Sequence, residues 1–171
     1  GFNQFTDSWV NFGSDVDRNE TVMATASSTF VAGDYAEGYI FAMDEGGKFY
    51  AVNMSDMTES YYIKNLYYEY LDLCYDDASA TMYGLRNYGN GKCYLYSINL
   101  LNASERYVAT IDANLQSLAA VGDGTFYGMD NKGILYQVAN NEATAIGSVG
   151  LPVRGSQATT YSSGKLYWAN G

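Results

Sequence analysis

Hydrophobic positions in this chain fall in short, strand-length runs, each closed by a turn-forming pair, and one such pattern is written about four times. Phe41-Ala42-Met43-Asp44 is followed by Gly46-Gly47 and then Lys48-Phe49-Tyr50-Ala51-Val52-Asn53. Tyr83-Gly84-Leu85-Arg86 is followed by Gly91-Lys92-Cys93-Tyr94-Leu95-Tyr96-Ser97-Ile98-Asn99. Tyr127-Gly128-Met129-Asp130 leads to Gly133-Ile134-Leu135-Tyr136-Gln137-Val138-Ala139, and Leu166-Tyr167-Trp168-Ala169-Asn170-Gly171 begins the phrase again. The leading aromatics at 41, 83, 127 and 167 are spaced by 42, 44 and 40 residues.

Each unit reads as a four-stranded meander. The third is the plainest. Ser117 to Val121 is a first strand, Asp123-Gly124 a tight turn that supplies positive φ, and Thr125 to Met129 a second strand. Asp130 to Gly133 turns the chain into Ile134–Ala139, and Asn140-Asn141-Glu142 turns it into Ala143–Ser148. The second unit follows with strands at Tyr70–Tyr75, Thr81–Arg86, Cys93–Asn99 and Tyr107–Ile111, and an expanded turn over Asn87 to Gly91. The first has Ser28 to Val31 or slightly beyond, Tyr39–Met43, Lys48–Asn53 and Ser60–Lys64; the fourth has Gln157–Tyr161 and Lys165–Ala169. No dozen-residue window carries helical period with caps, and the nearest, Met54 to Tyr70, argues for strand by its tyrosines and Ile63. The chain is therefore expected to be all-β. A period near forty built from short strands implies a propeller-type array of four-stranded antiparallel blades.

The expected blades are residues 25–66, 67–112, 113–151, and 152–171 plus 5–24, forming one domain over 1–171. The fourth unit lacks its third and fourth strands. The N-terminal runs Ser8–Phe12 and Glu20–Ala24 could supply them, removing two unpaired sheet edges. The other expectation is a fourth blade left incomplete, its ring finished by a second copy or by further sequence.

The motifs Tyr70-Leu71-Asp72-Leu73-Cys74-Tyr75-Asp76-Asp77 with Thr81-Met82-Tyr83-Gly84-Leu85, and Leu118-Ala119-Ala120-Val121-Gly122-Asp123-Gly124-Thr125-Phe126-Tyr127-Gly128, carry a resemblance. They are similar to the repeat unit of secreted bacterial β-propellers of the YVTN/NHL-like kind, as in surface proteins of gut anaerobes. That resemblance covers about residues 25–171. It implies a binding or scaffolding module beside other domains, and it supplies no catalytic residue to carry over.

Composition narrows the chemistry. Of 171 residues 47% are hydrophobic, enough for a buried core, and no apolar run reaches the roughly 18 residues of a membrane span. No basic-plus-apolar secretion signal opens the chain, and Gly1 reads as a cloning remnant with the natural leader cut away. The net charge of −10, without a basic stripe, argues against nucleic acid and anionic membrane as partners. Charged residues make up only 16%, so Ser, Thr, Asn, Gly and the 18 tyrosines must cover the surface, which suits an extracellular β-protein. Cys74 and Cys93 fall on the first and third strands of one unit. Those strands stand about 10 Å apart, beyond the ~7 Å that a disulfide allows, so both are expected as free, buried thiols.

With no His, imidazole-based triads and metal sites are excluded, and no phosphate-binding glycine loop is present. Asp72, Asp76 and Asp77 could form a carboxylate pair for glycoside hydrolysis, although Asp76-Asp77 also reads as a plain polar turn. Asp15, Asp17 and Asn19 space three oxygen ligands as a calcium loop opens, but Glu20 replaces its Gly and Ala26 its last acid; a solvated hairpin fits as well. Asn19, Asn53 and Asn102 head Asn-x-Ser/Thr triplets that read as turn chemistry. Tyr67, Tyr68 and Tyr88 lie in or beside turns, and Trp168 near the end; rings so placed could stack on neutral glycans or form a protein hot spot. The expected function is a non-catalytic extracellular or cell-surface recognition or scaffold module of a bacterium, with glycan as the ligand class its loop aromatics suit and no cofactor needed. Protein–protein recognition is the alternative, and an Asp/Glu-dependent glycosidase or lyase a further one.

Overall fold

The computed structural model describes residues 1–12 and 20–170. Every regular element among them is a strand. β1 (Phe2–Asn3), β2 (Ser8–Phe12) and β3 (Glu20–Thr25) form a three-stranded sheet. Three four-stranded antiparallel blades follow. The first holds β4 (Phe30–Ala36), β5 (Tyr39–Asp44), β6 (Lys48–Asn53) and β7 (Ser60–Asn65). The second holds β8 (Asp72–Asp76), β9 (Thr81–Asn87), β10 (Cys93–Ile98) and β11 (Glu105–Ile111). The third holds β12 (Leu115–Gly122), β13 (Thr125–Asp130), β14 (Ile134–Ala139) and β15 (Glu142–Ser148). A hairpin of β16 (Gln157–Ser162) and β17 (Lys165–Asn170) ends the series. Since no described element is helical, no helix is long and apolar enough to cross a membrane.

The first strand of each unit is where expectation and structure differ most. The unit-one strand begins at Phe30 and runs to Ala36, and the unit-two strand begins at Asp72 rather than Tyr70. The unit-two strand β8 is buried on nearly every residue, so it lacks the alternation that marks a strand's ends, whereas β4 alternates buried and exposed positions from Phe30 to Ala32. The short β1 was not anticipated. It bears on the fourth unit, because the hairpin and the N-terminal strands remain separate sheets rather than one composite blade. The free edge of β2 that β17 would need already carries β1, with Phe2 opposite Trp9 and Asn3 opposite Ser8. The fourth unit is thus the incomplete one.

The inner strands β4, β8, β12 and β16 lie side by side in that order around the axis. No ladder joins them, since each belongs to a different sheet. Side chains join them instead. The Tyr75 N–H donates to Asp34 Oδ2 at 2.7 Å, and the Leu118 N–H donates to Asp72 Oδ2 at 2.9 Å. The Ser117 and Thr159 hydroxyls share a hydrogen bond between β12 and β16.

Apolar layers fill the space between consecutive sheets. Trp9, Phe30, Ala42 and Val52 pack between the N-terminal sheet and the first blade. Phe41, Met43, Phe49, Leu73, Met82 and Ile98 pack between the first and second. Cys74, Leu85, Cys93, Ile111, Leu118 and Phe126 pack between the second and third. Alternation along β9 sends Met82 to one layer and Leu85 to the next. Both cysteines are buried and free, as the strand spacing required.

The recurring phrase has a packing cause. Its second residue is small, being Ala42, Gly84 or Gly128, and its inner-strand partners are Gly33, Leu73 and Leu118. Three residues before each partner stands a large side chain, Phe30, Tyr70 or Leu115, which covers the small one. A Cβ on Gly84 would sink into the Tyr70 ring, with Cγ 2.9 Å away, and a Cβ on Gly128 would meet Leu115 Cδ1 at 2.9 Å. The phrase's last residue closes the following turn. Asp44 Oδ1 accepts the N–H groups of Gly46 and Lys48, and Asp130 Oδ1 those of Lys132 and Ile134.

Gly84→Ala is therefore expected to lose about 1–3 kcal/mol in urea unfolding by overpacking. Gly147→Ala on β15, where nothing lies within 4 Å of the added Cβ, is expected to change it by no more than about 0.5 kcal/mol.

Candidate functional site

In the second blade the repeat departs from its own rule. Arg86 stands where the first and third blades place the turn-closing Asp44 and Asp130. Without that carboxylate the β9–β10 turn is longer, and it is held instead by Asn87 Oδ1 accepting from Gly89 and Asn90 Oδ1 accepting from Lys92. Gly89 and Gly91 in it adopt positive φ. Tyr88 is thereby carried back over the blade. The Arg86 guanidinium lies between two rings, with Cζ 4.1 Å from the Tyr68 centroid and 4.0 Å from that of Tyr88.

The linker from β7 to β8 brings Tyr67, Tyr68 and Tyr70 to the same face. Glu105, at the start of β11, fixes that linker. Its carboxylate accepts the Tyr67 N–H at 2.6 Å, the Tyr68 N–H at 3.2 Å and the Tyr70 hydroxyl at 2.7 Å. Tyr68 packs against Tyr96 with centroids 4.7 Å apart, and Tyr67 sits edge-on to Tyr68, also at 4.7 Å. Tyr88 meets Tyr94 edge-on at 4.9 Å. Burial and the bond to Glu105 push the Tyr70 phenol well above its ordinary range. Burial, then the bond to Tyr68, pushes Tyr96 up to about 12. Tyr67 remains 84% exposed and Tyr88 51%.

Three of the four sequence-proposed ligand residues, Tyr67, Tyr68 and Tyr88, are thus brought into one cluster. Trp168 is not among them. It lies on β17, beyond the third blade, and its Nε1–H donates to Gln157 Oε1 at 2.9 Å. Trp168 takes the place of the small residue Ala42, Gly84 or Gly128, opposite Thr159, while Ser156 takes the place of the large one. Large and small have exchanged sides at this unit, and Trp168 is half-buried. Asp15, Asp17 and Asn19 lie outside the described residues. Among those described, no group of three or more Cys, Asp or Glu is placed to hold a metal.

Elsewhere, a cleft of about 470 Å³ lies against the inner strands, its lining including Asp34, Tyr35, Tyr75, Asp77 and Tyr161. Of the proposed carboxylates, Asp72 is buried and bonded to the Leu73 and Leu118 amides, and burial raises its carboxyl well above the usual range. Asp76 closes its own turn by accepting from Ala78 N–H and the Ser79 hydroxyl. Asp34 is the carboxyl that joins the cleft to the frame. Burial pushes it up to about 6, against the opposing pull of the Tyr75 and Tyr35 amides. Arg86, Glu105 and Asp34 were not singled out from sequence. For Arg86 the signal was present, since aligning the phrases sets it against Asp44 and Asp130.

The fold is that of a β-propeller-type repeat protein. No protein-family model matches the chain, and no curated protein matches it. Among solved structures it is similar to a protein of unknown function from Bacteroides thetaiotaomicron. The TM-score is 0.59 at 10% identity, over 82% of this chain and 38% of that one. BamB from Moraxella catarrhalis gives 0.46 at 11% identity, over 81% and 39%. The β-propeller domain of Cps50 (Swd1) from Myceliophteria thermophila gives 0.44 at 9%, over 89% and 55%. The chain therefore spans well under two thirds of each, and likeness at such identity bears on fold alone.

Asp34 predicts a pH dependence. Between its ordinary value of 3.8 and its folded value of about 6, the folded chain holds a proton that the unfolded chain releases. Stability therefore falls as pH rises through that window. Asp72, also raised, acts in the same direction. The thermal midpoint is expected to rise from pH 7 to pH 5, and Asp34→Asn to rise less over the same interval, as followed by circular dichroism melts.

Proposed function

We propose that this chain is a non-catalytic recognition or scaffold module, displayed outside a bacterial cell, whose exposed aromatics hold a ligand. The observation that carries the reading is the fixed cluster of Tyr67, Tyr68, Arg86 and Tyr88. Glu105 immobilises the linker, and Arg86 spaces the rings, so little side-chain freedom remains to be lost on binding. Rigid rings with a polar edge suit the C–H faces and hydroxyls of a glycan, the first ligand class. The low content of charge and the abundance of Tyr, Asn and Ser support an exported setting. The reading needs no cofactor. A protein partner is the second reading, favoured by the exposed Tyr61, Tyr62, Leu101 and Tyr107 on the outer strands and turns of the first two blades.

Binding to an array of plant and mucin glycans tests this directly. Tyr67→Ala is expected to weaken glycan binding about tenfold or more while leaving the melting temperature unchanged, because the ring is exposed. A silent array shifts the reading to protein partners. Cleaved sugar in a soaked crystal shifts it to a glycosidase or lyase.

A further inference from the structure

Arg86 is under-used by the protein around it. Its two faces are covered by Tyr68 and Tyr88, yet Nη1 is buried with no hydrogen-bond partner. No carboxylate of the described residues comes within ion-pair distance of it; the pair they form is Lys92–Asp112, at 3.4 Å. A chain of net charge −10 has many acidic groups from which to supply a partner. Arg86 is only partly buried, but leaving Nη1 out of water without a hydrogen-bond partner is unfavourable. The two closed repeats put Asp at this position, so the Arg reverses the local sign rather than extending a pattern.

Resting on the recognition reading above, we propose that Arg86 receives the carboxylate of an acidic sugar, so that the ligand class is a uronate-containing glycan. Stacking leaves only the in-plane N–H directions of a guanidinium open. Those are the directions in which a carboxylate bonds, often with both oxygens. The two rings stay in place, and the carboxylate approaches Nη1 along the guanidinium edge between them. Tyr67 and the outward side of Tyr88 then stack on the sugar ring.

The test is calorimetric titration with oligomers of galacturonate, glucuronate and mannuronate, each beside its methyl ester, at about 0.15 M salt to screen the chain's overall negative field. The ester keeps the stacking surface and removes the charge. At least one free acid is expected to bind about tenfold or more tighter than its ester. Arg86→Gln is expected to abolish that preference while ester binding persists, and Arg86→Lys to restore part of it. Should Arg86→Gln not fold, the acid-to-ester ratio on the unaltered chain decides alone. Equal affinity for acid and ester overturns the inference and leaves the glycan reading standing. Silence from every acid and ester, with binding to neutral glycans on the array, also overturns the inference alone. Silence from all glycans overturns both.

Discussion

Neighbouring blades in this protein share no backbone ladder, and everything else follows from how they are held without one. The inner strands run side by side, each in its own sheet, so their polar backbone groups and apolar faces must be satisfied by side chains. Asp34 and Asp72 do this by accepting an amide from the next inner strand, Tyr75 and Leu118 in turn. Ser117 and Thr159 continue the series with hydroxyls. Between these ties lie the three apolar layers. Burial of a carboxylate is unfavourable unless it is bonded, and the raised values of Asp34 and Asp72 record that opposition. The bonds and the packing are therefore coupled, since removing either partner would leave a buried polar group unmet.

This arrangement frees the rest of each blade to vary. The small residue of each phrase and its covering side chain keep the layers closed. Turn-closing Asp44 and Asp130 keep the second turn short. Where Arg86 takes the third such position, the turn lengthens and Tyr88 is carried onto the blade face. The β7–β8 linker passes the same face because it must reach the next inner strand, and Glu105 holds it there. The aromatic cluster is thus a local departure laid on an unaltered frame. The capping role lost at position 86 is taken over by Asn87 and Asn90.

Much of the frame was legible because turns and outer strands leave clear marks. Lys48–Asn53, Ile134–Ala139 and Ser8–Phe12 run from end to end as the pattern of apolar residues and turns indicates. The inner strand β8 was less legible because burial on nearly every residue erases alternation, which is why Tyr70 was read into a strand when it belongs to a linker. The site was legible in part. Tyr67, Tyr68 and Tyr88 stood out as aromatics near turns. Their grouping around Arg86 depends on how a linker crosses a blade face, which spacing along the chain does not encode. Trp168 looked like the same kind of residue. It lies opposite Thr159 on β17, away from the Tyr67–Tyr68–Tyr88 cluster, a separation that nearness to a turn does not encode.

Amide hydrogen exchange tests the central claim, that side-chain ties on buried carboxylates hold the blades together in place of ladders. The Leu118 amide, donated to Asp72, is expected to exchange as slowly as the ladder amides of β9 and β13. In Asp72→Ala it is expected to exchange much faster, while ladder amides within β13 and β14 stay protected until global unfolding. A Leu118 amide that exchanges in the native chain as fast as an exposed turn, or that is indifferent to the loss of Asp72, would contradict the account.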